Sequence, residues 1–78
     1  MEQKILDLIY EICDDKIIYN KKDVNMFDTG LLESMDFIEL LMSIEEEFDI
    51  EIPPEDIKKD AMATPNMLVE FVKARVEE

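Results

Sequence analysis

The sequence predicts an all-α fold: a small bundle of three main helices plus a short third helix, with a long loop between the first helix and the second. Apolar residues recur at helical spacing in three separate stretches. No segment alternates apolar and polar residues over a useful length, as a half-buried strand would. A chain of 78 residues also allows only a single domain, 1–78. At that size about 60–65% of the unfolded surface can be buried, so the core is small. An apolar fraction of 47% is nevertheless enough to fold.

The first helix is expected from Glu2 to Asp14, with Ile5, Leu8, Ile9, Ile12 and Cys13 forming one stripe. Cys13 lies on that stripe and reads as a small buried hydrophobe before it reads as a reactive thiol. From Asp15 to about Glu33 the period is lost. Asn20-Lys21-Lys22-Asp23 is a solvated turn, and Val24, Met26, Phe27, Leu31 and Leu32 are scattered apolar anchors. A loop this long is functional or packed by its own side chains. It holds the only glycine, Gly30, which points to a turn with positive φ.

The second helix is expected from Ser34, a candidate N-cap, to near Phe48. Phe37, Leu41, Ile44 and Phe48 form its core stripe, with Leu40 and Ile38 at the edges. Asp36, Glu39, Ser43, Glu46 and Glu47 gather on the other side. Met35 and Met42 lie on the flank between these acids and Ile38. Methionine suits an exposed contact that must adapt to partners, so this flank reads either as a solvated charged face or as a docking surface. Asp49 to Pro54 should be extended. Pro54 can open a short third helix over Glu55–Asp60, anchored by Ile57. Thr64 as N-cap and Pro65 at the first helical position start the last helix, which runs to about Glu77. Its stripe is Leu68, Phe71, Val72 and Val76, and Lys73 and Arg75 suit the negative end of its dipole.

Charge and composition remove several functions. With 21 acidic against 8 basic residues, the net charge is -13. That disfavours a nucleic-acid partner, which would need Lys and Arg against phosphates, and an anionic membrane surface as well. The absence of histidine rules out Ser-His and Cys-His nucleophiles and histidine metal sites. One cysteine makes no internal disulfide, and the start of the chain is not a signal segment, so a cytoplasmic location fits. No apolar run approaches the roughly 20 residues that span a bilayer. A calcium loop fails as well, because Gly30 at its sixth position puts Phe27 where an oxygen ligand belongs. No catalytic residue and no metal site can be assembled.

Ser34 stands apart. It ends a glycine-containing loop at a predicted helix N-terminus, where free N–H groups and the dipole favour a phosphate. Its hydroxyl either caps the helix or carries a phosphoryl or phosphodiester group.

Phe27-Asp28-Thr29-Gly30-Leu31-Leu32-Glu33-Ser34-Met35 resembles the attachment region of the phosphopantetheine-dependent carrier proteins. The resemblance spans the chain, including Glu45-Glu46-Glu47-Phe48 and Ile50-Glu51-Ile52-Pro53, and implies a small acyl-carrier-like bundle. It implies that Ser34 bears 4'-phosphopantetheine, taken from coenzyme A by a phosphopantetheinyl transferase, and that the arm's thiol holds an acyl group. It implies further that the helix after Ser34 meets basic patches on partner enzymes. Glu33, Met35, Asp36, Glu39, Met42 and Glu46 would be the contacts, with charge attraction mainly raising encounter rates. The family usually has Asp before the serine, where its carboxylate helps hold the transferase's metal ion; here Glu33 reaches one carbon further.

Leu31-Leu32-Glu33-Ser34-Met35 and Thr64-Pro65-Asn66-Met67 are similar to the D-alanyl carriers, the small subunits of the D-alanine–poly(phosphoribitol) ligase system. That branch implies a D-alanyl cargo for cell-wall teichoic acids, a D-alanine-activating ligase and downstream membrane acyltransferase machinery as partners, and a non-catalytic monomer that does not insert in the membrane. Asp36, Ile38-Glu39-Leu40 and Glu45-Glu46-Glu47-Phe48 are similar instead to fatty-acid acyl carriers, so a fatty or specialised acyl cargo is the alternative. The net charge alone supports a third reading, an acidic module that binds partners without a covalent arm.

Overall fold

A computed structural model describes residues 1–77. Helix α1 spans Glu2–Cys13, a short α2 spans Ile17–Asn20, α3 spans Ser34–Phe48 and α4 spans Pro65–Val76. Between α3 and α4 lie two single 3-10 turns, Pro54–Asp56 and Lys59–Ala61. No strand occurs among the described residues. The all-α expectation holds, with α1, α3 and α4 as its three main helices.

Helix α1 packs on both α3 and α4. That double contact sets which of its residues are covered. Ile5, Leu6 and Ile9 are buried, whereas Leu8, Ile12 and Cys13 are half-buried. The stripe expected from spacing is therefore rotated toward Leu6. In α3 the buried set is Phe37, Leu40, Leu41 and Ile44, and Phe48 is half-buried. Leu40 moves from the edge to the centre, and Ile38 turns outward. In α4, Val69 joins Leu68 and Val72 inside, and Phe71 and Val76 sit at the margin. Each rotation has the same cause: apolar residues flank the stripe on both sides, and the neighbouring helix decides which flank is covered.

Asp14 and Asp49 end α1 and α3 in the left-handed region, each at φ 54. Glycine usually fills that position, and aspartate is among the few others that tolerate it.

The long connection contains a helical turn that periodicity misses. Asp15 Oδ1 accepts from the Ile17 N–H at 3.0 Å and starts α2, whose Ile18 is fully buried. One turn is too short for a 3.6-residue period to show. Tyr19 then donates to Asp7 Oδ1 at 2.7 Å, joining α2 to α1. This bond, with a second from Gln3, holds the Asp7 carboxyl below its ordinary value, and the same bond to Asp7 pushes the Tyr19 phenol up to about 12. Burial pushes the Cys13 thiol up, which disfavours the reactive thiolate.

The rest of the loop is tied down by backbone bonds. The Met26 N–H donates to the Ala63 carbonyl at 2.8 Å, and the Leu32 N–H to the Met26 carbonyl at 2.9 Å. Met26 and Leu32 are buried, while Val24, Phe27 and Leu31 are half-buried against the core. Gly30 adopts φ 79, as a turn at the loop's only glycine requires.

The expected third helix over Glu55–Asp60 is instead the pair of 3-10 turns. Pro54 does open the first of them. The backbone at Ile57 and Lys58 is extended, so the two turns cannot merge into one helix. The anchors of this region are Met62 and Ala63, both buried, more than the half-buried Ile57. Arg75 pairs with Asp56 and fastens the first turn to α4. The start of α4 is as expected: Thr64 Oγ1 accepts from the Met67 N–H at 3.1 Å, with Pro65 at the first helical position.

Candidate functional site

The segment before α3 is a knot of local hydrogen bonds. Asn25 Oδ1 accepts from the Phe27 and Asp28 N–H groups at 3.0 and 2.9 Å, and the Thr29 hydroxyl donates to the Asn25 carbonyl at 2.8 Å. Such side-chain turns replace regular secondary structure where none fits. They deliver the chain, through Gly30, to Ser34.

Ser34 is not the N-cap. Glu33 holds that position with extended backbone, φ -96 and ψ 173, and Ser34 is the first residue inside the helix. Glu33 and Asp36 form a capping box, in which Asp36 Oδ2 accepts from the Glu33 N–H at 3.2 Å. Two carboxylates thus satisfy the end of the helix and suit its positive pole. The serine hydroxyl has no capping task, is exposed, and accepts a hydrogen bond from Lys59 Nζ at 2.5 Å.

Ser34 opens onto a shallow apolar groove of about 580 Å³, lined also by Met35, Ile38, Glu39 and Met42. Met35 is 85% exposed, Met42 59% and Ile38 47%, an apolar strip on the outer surface of a small domain. A second depression of about 520 Å³ shares Glu39 and Met42 and adds Ser43, Glu45, Glu46 and Asp49. Ser34, Met35, Glu39 and Met42 therefore meet in one groove, and Glu46 belongs to the acidic one beside it. Asp36 is engaged at the cap, and Glu33 is exposed just before it.

Lys59 was not singled out by any spacing or motif. It lies 25 residues beyond Ser34 and reaches it only because the 3-10 turn folds over the loop. Among the described residues no group of three or more His, Cys, Asp or Glu side chains is gathered to hold a metal ion. No helix among them is long and apolar enough to cross a membrane.

The short helical bundle thus sets one spare serine hydroxyl on an exposed rim, beside a cation and an apolar groove. A family model described as "Phosphopantetheine attachment site" matches residues 3–72, and the chain belongs to that family. It is 36% identical to the D-alanyl carrier protein of Abiotrophia defectiva over 76 residues, 97% of this chain and 96% of that one. It is 40% identical to the D-alanyl carrier protein of Bacillus subtilis (strain 168) over 68 residues, 87% of each chain. With the D-alanyl carrier protein of Bacillus cereus (strain B4264) the identity is 35% over 68 residues, 87% of this chain and 86% of that one. Its prosthetic group is 4'-phosphopantetheine. The residues present suit that group: a hydroxyl able to form an ester, a cation able to face a phosphate, and an apolar channel leading away.

Proposed function

We propose that this chain carries a D-alanyl group, bound as a thioester to a 4'-phosphopantetheine arm on Ser34, for the D-alanylation of cell-wall teichoic acids. One observation carries the attachment point: the Ser34 hydroxyl is exposed while Glu33 and Asp36 do the capping that would otherwise occupy it. The D-alanyl carrier names of relatives 36% and 40% identical support the cargo.

When bound, the arm supplies the thiol that holds the acyl group. The chain's own residues bind, orient and present. Met35, Ile38 and Met42 offer an adaptable apolar strip, and Glu39 and Glu46 border it with acid. Long-range attraction to basic patches raises the rate of encounter with a phosphopantetheinyl transferase, a D-alanine-activating ligase and a downstream membrane acyltransferase. Those enzymes make and break the bonds. In this reading the chain is a single carrier domain, non-catalytic, monomeric and cytoplasmic. Glu33 is exposed beside the serine and stands in for the family's usual aspartate toward the transferase's metal ion.

Incubation with coenzyme A and a phosphopantetheinyl transferase, followed by mass spectrometry, tests the attachment. A phosphopantetheine adduct is expected in the native chain and none in Ser34→Ala. The loaded protein is then offered to a D-alanine-activating ligase and, separately, to a malonyl transferase. Charging by the first is expected; charging by the second alone would overturn the D-alanyl assignment in favour of a fatty acyl carrier.

A further inference from the structure

We propose that Lys59 is the counter-charge for the phosphodiester at the root of the arm, a positioning residue that holds the arm's first atoms against the start of α3. The inference rests on attachment at Ser34.

Its geometry is already in place. Lys59 Nζ donates to Ser34 Oγ at 2.5 Å and stands 5.5 Å from the centroid of the Phe27 ring. That ring meets Phe37 edge-on, with centroids 5.1 Å apart and planes at 84°, and Phe37 is buried in the core. The ammonium therefore rests over a fixed aromatic face, a position that a cation favours by itself. Among the described residues Lys59 forms no ion pair, unlike Lys4, Lys22 and Arg75.

Esterification changes what the lysine faces. The serine oxygen becomes a bridging ester oxygen, a poor acceptor. The anionic non-bridging oxygens lie two bonds further along, on the phosphorus, within reach of a flexible side chain. Lys59 then exchanges a bond to a neutral hydroxyl for a charge-assisted bond to a phosphate, a pairing that lysine makes as a point charge. The exchange matters in this chain because the new anion is added beside Glu33, Asp36 and Glu39, in a molecule of net charge -13. Lys59 is the cation that the fold brings to the spot.

Phosphorus NMR of the phosphopantetheine-loaded protein tests this, with native chain, Lys59→Gln and Lys58→Gln compared after mass spectrometry confirms equal loading. Lys58 is the adjacent cation, and no hydrogen bond joins it to Ser34. The expected result is a phosphodiester resonance in the native protein and in Lys58→Gln that is displaced from its position in Lys59→Gln. About 1 M salt, which confines charge interactions to ~3 Å, should move the native signal toward the Lys59→Gln position. Identical resonances in native protein and Lys59→Gln overturn the inference and leave attachment intact. So does an equal loss of displacement in Lys58→Gln, which would mark a general charge effect. An adduct that survives Ser34→Ala refutes the attachment point itself. The glutamine retains a donor for the serine and the site is exposed, so the fold is not at stake; matching circular dichroism spectra of the unloaded variants check that.

Discussion

Replacing Ser34 by alanine removes the proposed attachment point, and the structure says how much stability should go with it. Had Ser34 been the N-cap, the substitution would cost about 1 kcal/mol, within a range of roughly 0.5–2. It sits one position further in, where alanine is the better helix former by about 0.5 kcal/mol. Against that stands the exposed bond from Lys59, whose loss costs about 0.5–1 kcal/mol. The net loss is then below about 0.5 kcal/mol, a fall in melting temperature of under ~4 °C for a domain of this size. Asp36→Ala provides the contrast. It removes the acceptor that holds the Glu33 N–H at 3.2 Å and the negative charge in the first turn. Those losses, less the propensity gain, leave about 1 kcal/mol, or ~4–8 °C. Thermal melts of the three unloaded proteins, followed by circular dichroism, measure both. If Ser34→Ala melts lower than Asp36→Ala, the hydroxyl is the cap and the reasoning about a spare oxygen fails.

Three other perturbations have defined outcomes. Gly30→Ala places a Cβ in open space, with no atom within 4 Å, so only the backbone at φ +79 resists it; strain of ~1–2 kcal/mol less the stiffening of the unfolded chain leaves a loss of about 1 kcal/mol by urea denaturation. Tyr19→Phe removes the larger of the two hydrogen bonds that lower the Asp7 carboxyl, whose titration by NMR should move up toward its ordinary value of 3.8. Asp7's folded value is depressed, so its share of stability is present above 3.8 and fades as the pH falls through the lowered value; Tyr19's is raised, so its share is whole below 10.0 and fades toward about 12. The stability gap between native protein and Tyr19→Phe should accordingly be widest near neutrality and close at both extremes. Added salt or magnesium should raise the melting temperature, because a net charge of -13 opposes compaction and screening shortens its reach; a flat response over ionic strength would contradict this.

The helices that carry the site were legible because their signals are local. Thr64-Pro65 marks the start of α4 by the chemistry of the cap, and the spacing of Phe37, Leu41 and Ile44 marks α3. Gly30 announced its positive φ by being the lone glycine. The misses share a different physics. Leu6, Leu40 and Val69 are as apolar as the residues chosen beside them, and only the partner helix ranks them. Ile17–Asn20 is one turn long, and the 3-10 pair around Lys59 carries no period at all. The cap moved from Ser34 to Glu33 because a glutamate and an aspartate three residues apart can make the reciprocal pair that is better known with serine or threonine at its head. Lys59 was invisible for the most general reason: its contact with Ser34 crosses the fold, and nothing in the intervening chain encodes it.

The exposed strip of Met35, Ile38 and Met42 has a cost that the neighbouring carboxylates offset. Sticky surface on a crowded molecule invites like to meet like. Here two copies pressed together along that strip would also press Glu39 and Glu46 of one against those of the other. In the proposed reading homotypic contact would be discouraged while a basic partner would meet no such obstacle, so a single stretch of helix would sort strangers from siblings.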